Sequence, residues 1–282
     1  MTLGGQISTR DRQRTLGATA KLSGAGLHSG EIVEVVLRPA DEDTGIVFLR
    51  GDTVIPAMAG NVVDTRRGTT VGTNGLTVMT VEHVMAALSG CSIDNAMVEV
   101  GGSEMPAMDG SALPFVNAIH EAGAVEQARD RRRRVLRETV SLDANGACIT
   151  ASPSDSFSIS YELNYDHPMI GRQCVEFSLG EVDFAAEIAP ARTFVLYEEV
   201  AALLNQRLAQ GGNADNTIVI WQDHFSCPLR FPDELARHKA LDLIGDLALA
   251  GFPINAKIRA VRSGHALNVE LAKKMIQVAV YD

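Results

Sequence analysis

The chain has 282 residues, of which 46% are apolar and 21% are charged, and its formal net charge at pH 7 is -10. This composition is typical of a folded globular protein, and the acidic balance gives no reason to expect nucleic-acid binding. The N-terminal stretch lacks the apolar core of a signal peptide and no run is long enough to span a membrane, so we expect a cytoplasmic protein without stable membrane insertion. We also expect it to be a monomer.

The first part of the chain contains both strand-like and helical segments. The stretches "EIVEVVLRPA" and "NAMVEVGG" have the character of strands, whereas Val81 to Leu88 and Pro114 to Ala122 have that of helices. Thr80 is in the right place to cap the first of these helices, whose apolar residues follow the spacing i, i+3, i+4 and i+7. The helix is therefore predicted to bury one face.

Glu82 and His83 lie side by side in the first turn of that helix, away from its predicted apolar face. They could simply be solvated. Alternatively, the imidazole of His83 could bind a metal ion while the carboxylate of Glu82 takes a proton from the attacking water. The pair is thus a candidate for metal-assisted hydrolysis.

A basic run, "RDRRRRVLR" from Arg129 to Arg137, marks a plausible domain boundary. Beyond it, "DSFSISYELNY" and "AKIRAVRSG" are strand-like, and Glu198 to Ala209 and Pro232 to Ala250 are helical. Strands and helices on both sides of the run predict an α+β fold with domains at residues 1–130 and 131–282.

The helix predicted from Pro232 carries three polar residues at four-residue steps, His238, Asp242 and Asp246. They fall on one narrow stripe of a helix that is otherwise mostly apolar, so the stripe is predicted to face an internal cleft. An acidic edge balanced by Arg237 and Lys239 is the alternative.

His238 and Asp242 lie one helical turn apart and can reach the same metal ion. The four cysteines are widely scattered, so a metal would have to use His and carboxylate ligands. With His83 as the third ligand, one coordination position would stay open for water, as in catalytic zinc sites.

His265 lies in a glycine-flanked turn, "RSGHALN", at the end of the last predicted strand. A turn histidine is commonly just solvated. If this one folds back onto the polar stripe, Asp246 is the carboxylate that would orient it and keep it protonated. A cationic imidazole there could stabilise an oxyanion or protonate a leaving amine.

Taken together, several stretches resemble the UDP-3-O-acyl-N-acetylglucosamine deacetylases of lipid A synthesis in Gram-negative bacteria. They occur in that family's order along nearly the whole chain: "GAGLHSG", "TVEHVMAALSGCSIDNAMVEV", "EMPAMDGSALPFV", "ARTF", "DELARHKALDLIGDLALAG" and "SGHALN". The resemblance implies two similar layered α/β sandwich domains, with the active site at their interface and a small βαβ insert in the second.

The resemblance also implies a Zn²⁺-dependent amidohydrolase, with ferrous iron as an alternative metal in the cell. The metal ligands match His83, His238 and Asp242, and Glu82 matches the general base. His265 with Asp246 matches a cationic partner in the transition state. Further matches are Thr193 at the oxyanion, Phe194 beside the acyl chain and Lys239 at the polar end of the substrate.

The βαβ insert, at about residues 195–221, would form an apolar passage for the fatty acyl group. Val200, Gly212 and Val219 are its expected lining. The implied reaction releases acetate and a free glucosamine amine from UDP-3-O-(3-hydroxyacyl)-N-acetylglucosamine, the committed step of lipid A biosynthesis. Either Glu82 or His265 could return the proton to that amine.

Two features of the sequence depart from the best-known pattern of the family, and two rival functions stay open. Gly68 stands where some members of the family have a cysteine, which indicates that catalysis needs no thiol, and His28 could have a purely structural role. The rivals are a metal amidohydrolase acting on another N-acetyl sugar and a non-catalytic scaffold in which zinc joins the two halves.

Overall fold

The computed structural model describes residues 11–131 and 133–281. The N-terminal ten residues, where we expect no signal peptide, lie outside the described residues, as do Arg132 of the basic run and Asp282. The described chain is a mixture of helices and several separate sheets, which confirms the predicted α+β class. None of its helices is both long and apolar enough to cross a membrane.

The first half of the chain contains the following elements: β1 (Arg12–Leu16), β2 (Ala20–Ala25), β3 (Ile32–Pro39), β4 (Ile46–Arg50), β5 (Thr53–Pro56), β6 (Val62–Asp64), β7 (Thr70–Thr73), β8 (Leu76–Val78), α1 (Glu82–Gly90), β9 (Ala96–Val100), α2 (Leu113–Ala122) and β10 (Ala124–Asp130). A five-stranded sheet has the order β2-β3-β9-β4-β5. The smaller sheets are β6-β7-β8 and the pair β1-β10.

The second half contains β11 (Arg134–Val135), β12 (Val140–Ala144), β13 (Ala147–Pro153), β14 (Ser158–Asn164), β15 (Arg172–Ser178), α3 (Phe184–Glu187), β16 (Phe194–Leu196), α4 (Tyr197–Asn205), β17 (Ile218–Ile220), α5 (Glu234–Ala248), β18 (Ile254–Val261), α6 (His265–Val278) and β19 (Val280–Tyr281). Its seven-stranded sheet is centred on β18, which pairs antiparallel with β13 and parallel with β14.

Side-chain alternation explains why the strands cover the core on one face only. In β14, Ile159, Tyr161 and Leu163 are buried, whereas the residues between them are partly exposed. In β9, Ala96, Val98 and Val100 are buried, and the residues between them are partly exposed. This period of two is what a sheet with one packed face requires.

The insert in the second half has the predicted βαβ form. Strands β16 and β17 pair in parallel, Phe194 opposite Ile218 and Leu196 opposite Ile220, and α4 connects them. The unit spans residues 194–220, close to the predicted 195–221.

The division into domains at residues 130 and 131 stays a proposal. Strand pairing supports it, because every strand pair among the described residues joins two strands of the same half. The halves nevertheless touch closely, since α1 of the first half packs against α5 of the second.

Three details of the sequence-based prediction were wrong. Thr80 does not cap α1; its hydroxyl donates to Glu104 at 3.3 Å, and Val81 occupies the cap position without a side-chain hydrogen bond. Helix α5 begins at Glu234, two residues after Pro232. His265 does not lie in an isolated turn but is the first residue of α6, a helix that the sequence analysis missed.

Helix α5 is buried almost all round, as the narrow polar stripe predicted, and one glycine lets α1 come close to it. A Cβ atom added to Gly245 would overlap the backbone carbonyl oxygen of Glu82. Only a glycine fits there, so this position controls how Glu82 and His83 approach the stripe of α5.

We therefore expect Gly245→Ala to destabilise the protein. Alanine inside a helix is usually better than glycine by about 0.5–1 kcal/mol, but here the added methyl should force the helices apart and cost about 1–3 kcal/mol net. Urea unfolding measures the difference. Gly60→Ala is the control, because a Cβ at Gly60 would meet nothing within 4 Å; equal stability of the two variants would contradict the close-packing argument.

Candidate metal centre and active site

Three buried side chains converge where α1 meets α5. Ligand atoms of His83, His238 and Asp242 all lie within 4.8 Å of one another. The Oδ1 atom of Asp242 is 3.6 Å from Nε2 of His83 and 3.4 Å from Nε2 of His238. Two imidazoles and one carboxylate form a donor set typical of catalytic zinc sites.

His238 has the protonation state that a metal ligand needs. Burial lowers its pKa to about 4, so the imidazole is neutral at pH 7. The carbonyl oxygen of Ala191 lies 3.1 Å from Nδ1 and accepts the proton held there. This hydrogen bond leaves the lone pair of Nε2 directed toward Asp242 and fixes the tautomer, as partners of metal-binding histidines commonly do.

Asp242 offers an ionised oxygen with no partner. Burial by itself raises the pKa of this carboxyl, but His238 and Lys239 outweigh it and hold the pKa well below its usual range. Oδ2 accepts a hydrogen bond from Nζ of Lys239 at 2.6 Å, whereas the buried Oδ1 has no hydrogen-bond partner among the described residues. An unpaired buried carboxylate oxygen between two imidazoles fits a bound cation.

Glu82 lies next to this cluster and is almost wholly buried. Burial raises the pKa of its carboxyl, although positive charge at His265 opposes the effect. Its Oε2 accepts a hydrogen bond from the backbone N–H of Thr69 at 2.9 Å, and its Oε1 is 4.0 Å from Nε2 of His265. A carboxylate with a raised pKa is suited to receive a proton near neutral pH.

His265 faces Glu82 from the start of α6. Its Nδ1 donates to Oδ2 of Asp246 at 2.9 Å. Burial by itself lowers the pKa of His265, but the charges of Asp246 and Glu82 outweigh it and raise the pKa to about 9. The imidazole is therefore a cation at pH 7 in this environment.

A cavity of about 800 Å³ opens onto the three ligand residues, Glu82 and His265. Part of its wall is formed by Thr193 and by the three residues of β16, Phe194, Val195 and Leu196. The Phe194 ring makes an edge contact with His238, with 6.2 Å between the centroids, and Lys239 also lines the wall. Other polar residues of the lining include Asn145, Arg262 and Glu270.

The chain is similar to known proteins along nearly its whole length. Residues 13–277 match the family model LpxC, UDP-3-O-acyl N-acetylglycosamine deacetylase. The chain belongs to this family. Proteins named UDP-3-O-acyl-N-acetylglucosamine deacetylase from Myxococcus xanthus and Geotalea uraniireducens are 45% and 43% identical to it. Each alignment covers 94% of this chain and 86% or 88% of the relative.

The structure of this family member brings together most of the residues singled out from the sequence. The predicted ligands, Glu82, the His265–Asp246 pair, Thr193, Phe194 and Lys239 all lie in or beside the cavity. Val200, Gly212 and Val219 are not among the described residues that line it. Their place in an acyl passage therefore stays a prediction.

His28 forms hydrogen bonds that connect two loops. Its Nδ1 accepts from the backbone N–H of Ala209 at 3.4 Å, and its Nε2 lies 3.2 Å from the carbonyl oxygen of Arg67. Only the neutral tautomer with its proton on Nε2 can do both. These contacts join the loop before β7 to the insert. His28 therefore has a structural role.

Sequence reasoning missed two groups that support the site. Arg192 and Glu234 form a buried ion pair, with 2.8 Å between Nε and Oε1, which joins the loop before Thr193 to the start of α5. Thr69 and Asn268 both donate to Asp246. The partners in each case are far apart in the chain, so no local pattern could have paired them.

The His265–Asp246 pair predicts a measurable titration. In chelator-treated protein, NMR of the labelled imidazole should give His265 a pKa of about 9, against an ordinary value of 6.5. Asp246→Asn should lower that pKa by at least about one unit, because the largest opposing charge is removed. Asp223→Asn, which alters the exposed pair with His224, should leave it unchanged.

The same shift fixes the sign of the pH dependence of stability. Since the folded-state pKa is raised, the pair stabilises the fold fully below pH 6.5, and this contribution is lost as the pH rises through about 9. A wild-type His265 that titrates near 6.5 would contradict the assigned pairing.

Proposed function

We propose that this chain hydrolyses the N-acetyl group of UDP-3-O-(3-hydroxyacyl)-N-acetylglucosamine, giving acetate and the free glucosamine amine, the committed step of lipid A biosynthesis. One observation carries the proposal: a three-residue ligand cluster, a carboxylate base and an imidazolium all open onto a single cavity. Membership of the deacetylase family supports the substrate. We further propose that the protein acts as a cytoplasmic monomer.

The cluster of His83, His238 and Asp242 would hold one Zn²⁺ ion, with ferrous iron as the alternative. When bound, such an ion activates water for attack and polarises the acetamide carbonyl. Three protein ligands leave room for further coordination, which fits catalysis better than a structural zinc with four protein ligands.

Glu82 would act as the general base. Its carboxylate lines the cavity next to the ligand cluster, and its raised pKa makes it a stronger proton acceptor than an exposed glutamate. The hydrogen bond from the backbone of Thr69 occupies Oε2, which leaves Oε1 on the side of His265 to take the proton of the attacking water.

His265 would stabilise the negative charge that develops on the carbonyl oxygen. Asp246 keeps its imidazole oriented and protonated, so the positive charge is present before the reaction begins. The hydroxyl of Thr193, on the same cavity wall as Phe194, would donate to that oxygen as well. Either Glu82 or His265 can then return a proton to the leaving amine.

The rest of the substrate would be held by the cavity walls. Lys239 would bind the polar end of the substrate. Its ammonium group also forms an ion pair with Asp242. Phe194 would contact the acyl group, which continues into the insert past Val200, Gly212 and Val219. Each methylene buried there would contribute about 0.8 kcal/mol to binding.

Two substitutions separate the base from the ligands. Glu82→Ala should keep the metal content of the wild type and slow acetate release by about two to four orders of magnitude, the scale of lost general-base catalysis. His238→Ala should lose the metal, because two protein ligands bind it poorly. Metal analysis and acetate release from the same preparations measure both effects.

Glu99→Gln provides the control, since this exposed carboxylate pairs with Arg38 on the surface of β9. It should retain both metal and activity. Loss of metal in Glu82→Ala would make Glu82 a ligand, and an active Glu82→Ala variant would exclude it as the base.

A further inference from the structure

Thr69, which precedes β7, is fully buried and makes three hydrogen bonds at the centre of the site. Its backbone N–H donates to Oε2 of Glu82 at 2.9 Å, and its hydroxyl donates to Oδ1 of Asp246 at 2.5 Å. Its carbonyl oxygen accepts from the N–H of Val81, at 3.1 Å, just before α1. One residue of the first half thus contacts carboxylates on both central helices.

The hydrogen bond from the Thr69 hydroxyl gives the second oxygen of the fully buried Asp246 carboxylate a partner. Oδ2 accepts from Nδ1 of His265 and from Nδ2 of Asn268, each at 2.9 Å, while Oδ1 accepts from Thr69. Without the hydroxyl, Oδ1 of this fully buried carboxylate would lose that hydrogen bond. The carboxylate could then rotate toward other donors and take the His265 imidazole with it.

Asn268 cannot replace Thr69, because it binds the other oxygen of the carboxylate. The amide nitrogen and the hydroxyl oxygen of Thr69 belong to one residue and are only three bonds apart, so both carboxylates are tied to the same short segment. Thr69 therefore holds Glu82 and Asp246 in place relative to each other. Because Asp246 holds His265, this also maintains the 4.0 Å separation between Oε1 of Glu82 and Nε2 of His265.

We propose that Thr69 is a positioning residue for the deacetylation, acting on Glu82 through its backbone and on His265 through Asp246. The inference rests on the proposed function. It assigns to the Thr69 side chain a role in turnover rather than in substrate binding, since the hydroxyl contacts Asp246 and Thr69 does not line the cavity.

Thr69→Val tests this assignment, because valine keeps the shape of threonine and removes only the hydroxyl. We expect kcat to fall by about tenfold to a hundredfold, the effect of losing one hydrogen bond to a charged group, with KM within about twofold of wild type. Metal content should not change. Thr69→Ser should restore kcat, and Thr69→Ala provides a second variant without a hydroxyl in case valine impairs folding.

Thr70→Val is the matched control. Thr70 is the next residue and is also buried, but its hydroxyl makes no hydrogen bond to either carboxylate in the part of the chain that the structure describes. This variant should keep the kcat of the wild type. Thermal unfolding of all variants shows whether lower activity reflects a lower folded fraction.

A double-mutant cycle with Asp246→Asn gives the decisive comparison. If Thr69 acts through Asp246, Thr69→Val should change kcat by no more than about twofold in the Asp246→Asn background, because coupled residues are not additive. The same loss of kcat in both backgrounds would overturn the assignment, as would an unchanged kcat in Thr69→Val. A wild-type protein that released no acetate would instead overturn the proposed function and this inference with it.

Discussion

The contact between α1 and α5 is the constraint on which the rest of the site depends. Gly245 allows the backbone of Glu82 to pack directly against α5. Since Glu82 and His83 are the first residues of α1, that contact brings them to the polar stripe of α5. The ligand cluster is therefore a product of helix packing between the two halves, and neither half contains it alone.

Burying so many ionisable groups is costly unless their charges balance. The carboxylates of Glu82, Asp242 and Asp246 are opposed by the ammonium group of Lys239 and the imidazolium of His265. The remaining unpaired oxygen, Oδ1 of Asp242, faces two imidazoles. These groups leave one negative charge in excess, which favours a bound cation, and the same electrostatics also set the protonation states of the base and its cationic partner.

Much of this site could be predicted from the sequence because its main signals are local. The spacing of His238, Asp242 and Asp246 on an otherwise apolar helix predicted a buried polar stripe, and the structure confirms its burial. His83 could be added because it stands beside Glu82 in a first turn, and the family resemblance implied the same three ligands.

What the sequence could not supply depends on contacts between distant segments. Thr69 is 177 residues from Asp246, and no pattern near either residue indicates their hydrogen bond. Thr80 fits the cap rule, but the buried carboxylate of Glu104 takes its hydroxyl. Helix α6 was missed because the glycine before His265 suggested a turn, although Leu271 and Met275 repeat at helical spacing and are buried.

The central claim is that the buried cluster is the metal site of a deacetylase, and one measurement tests it most directly. Acetate release from UDP-3-O-(3-hydroxyacyl)-N-acetylglucosamine would be followed with chelator-stripped protein, before and after one equivalent of Zn²⁺ is returned. The activity should disappear with the metal and return with it. Protein that binds zinc again but releases no acetate in either state would contradict the account and favour another sugar substrate or a structural metal.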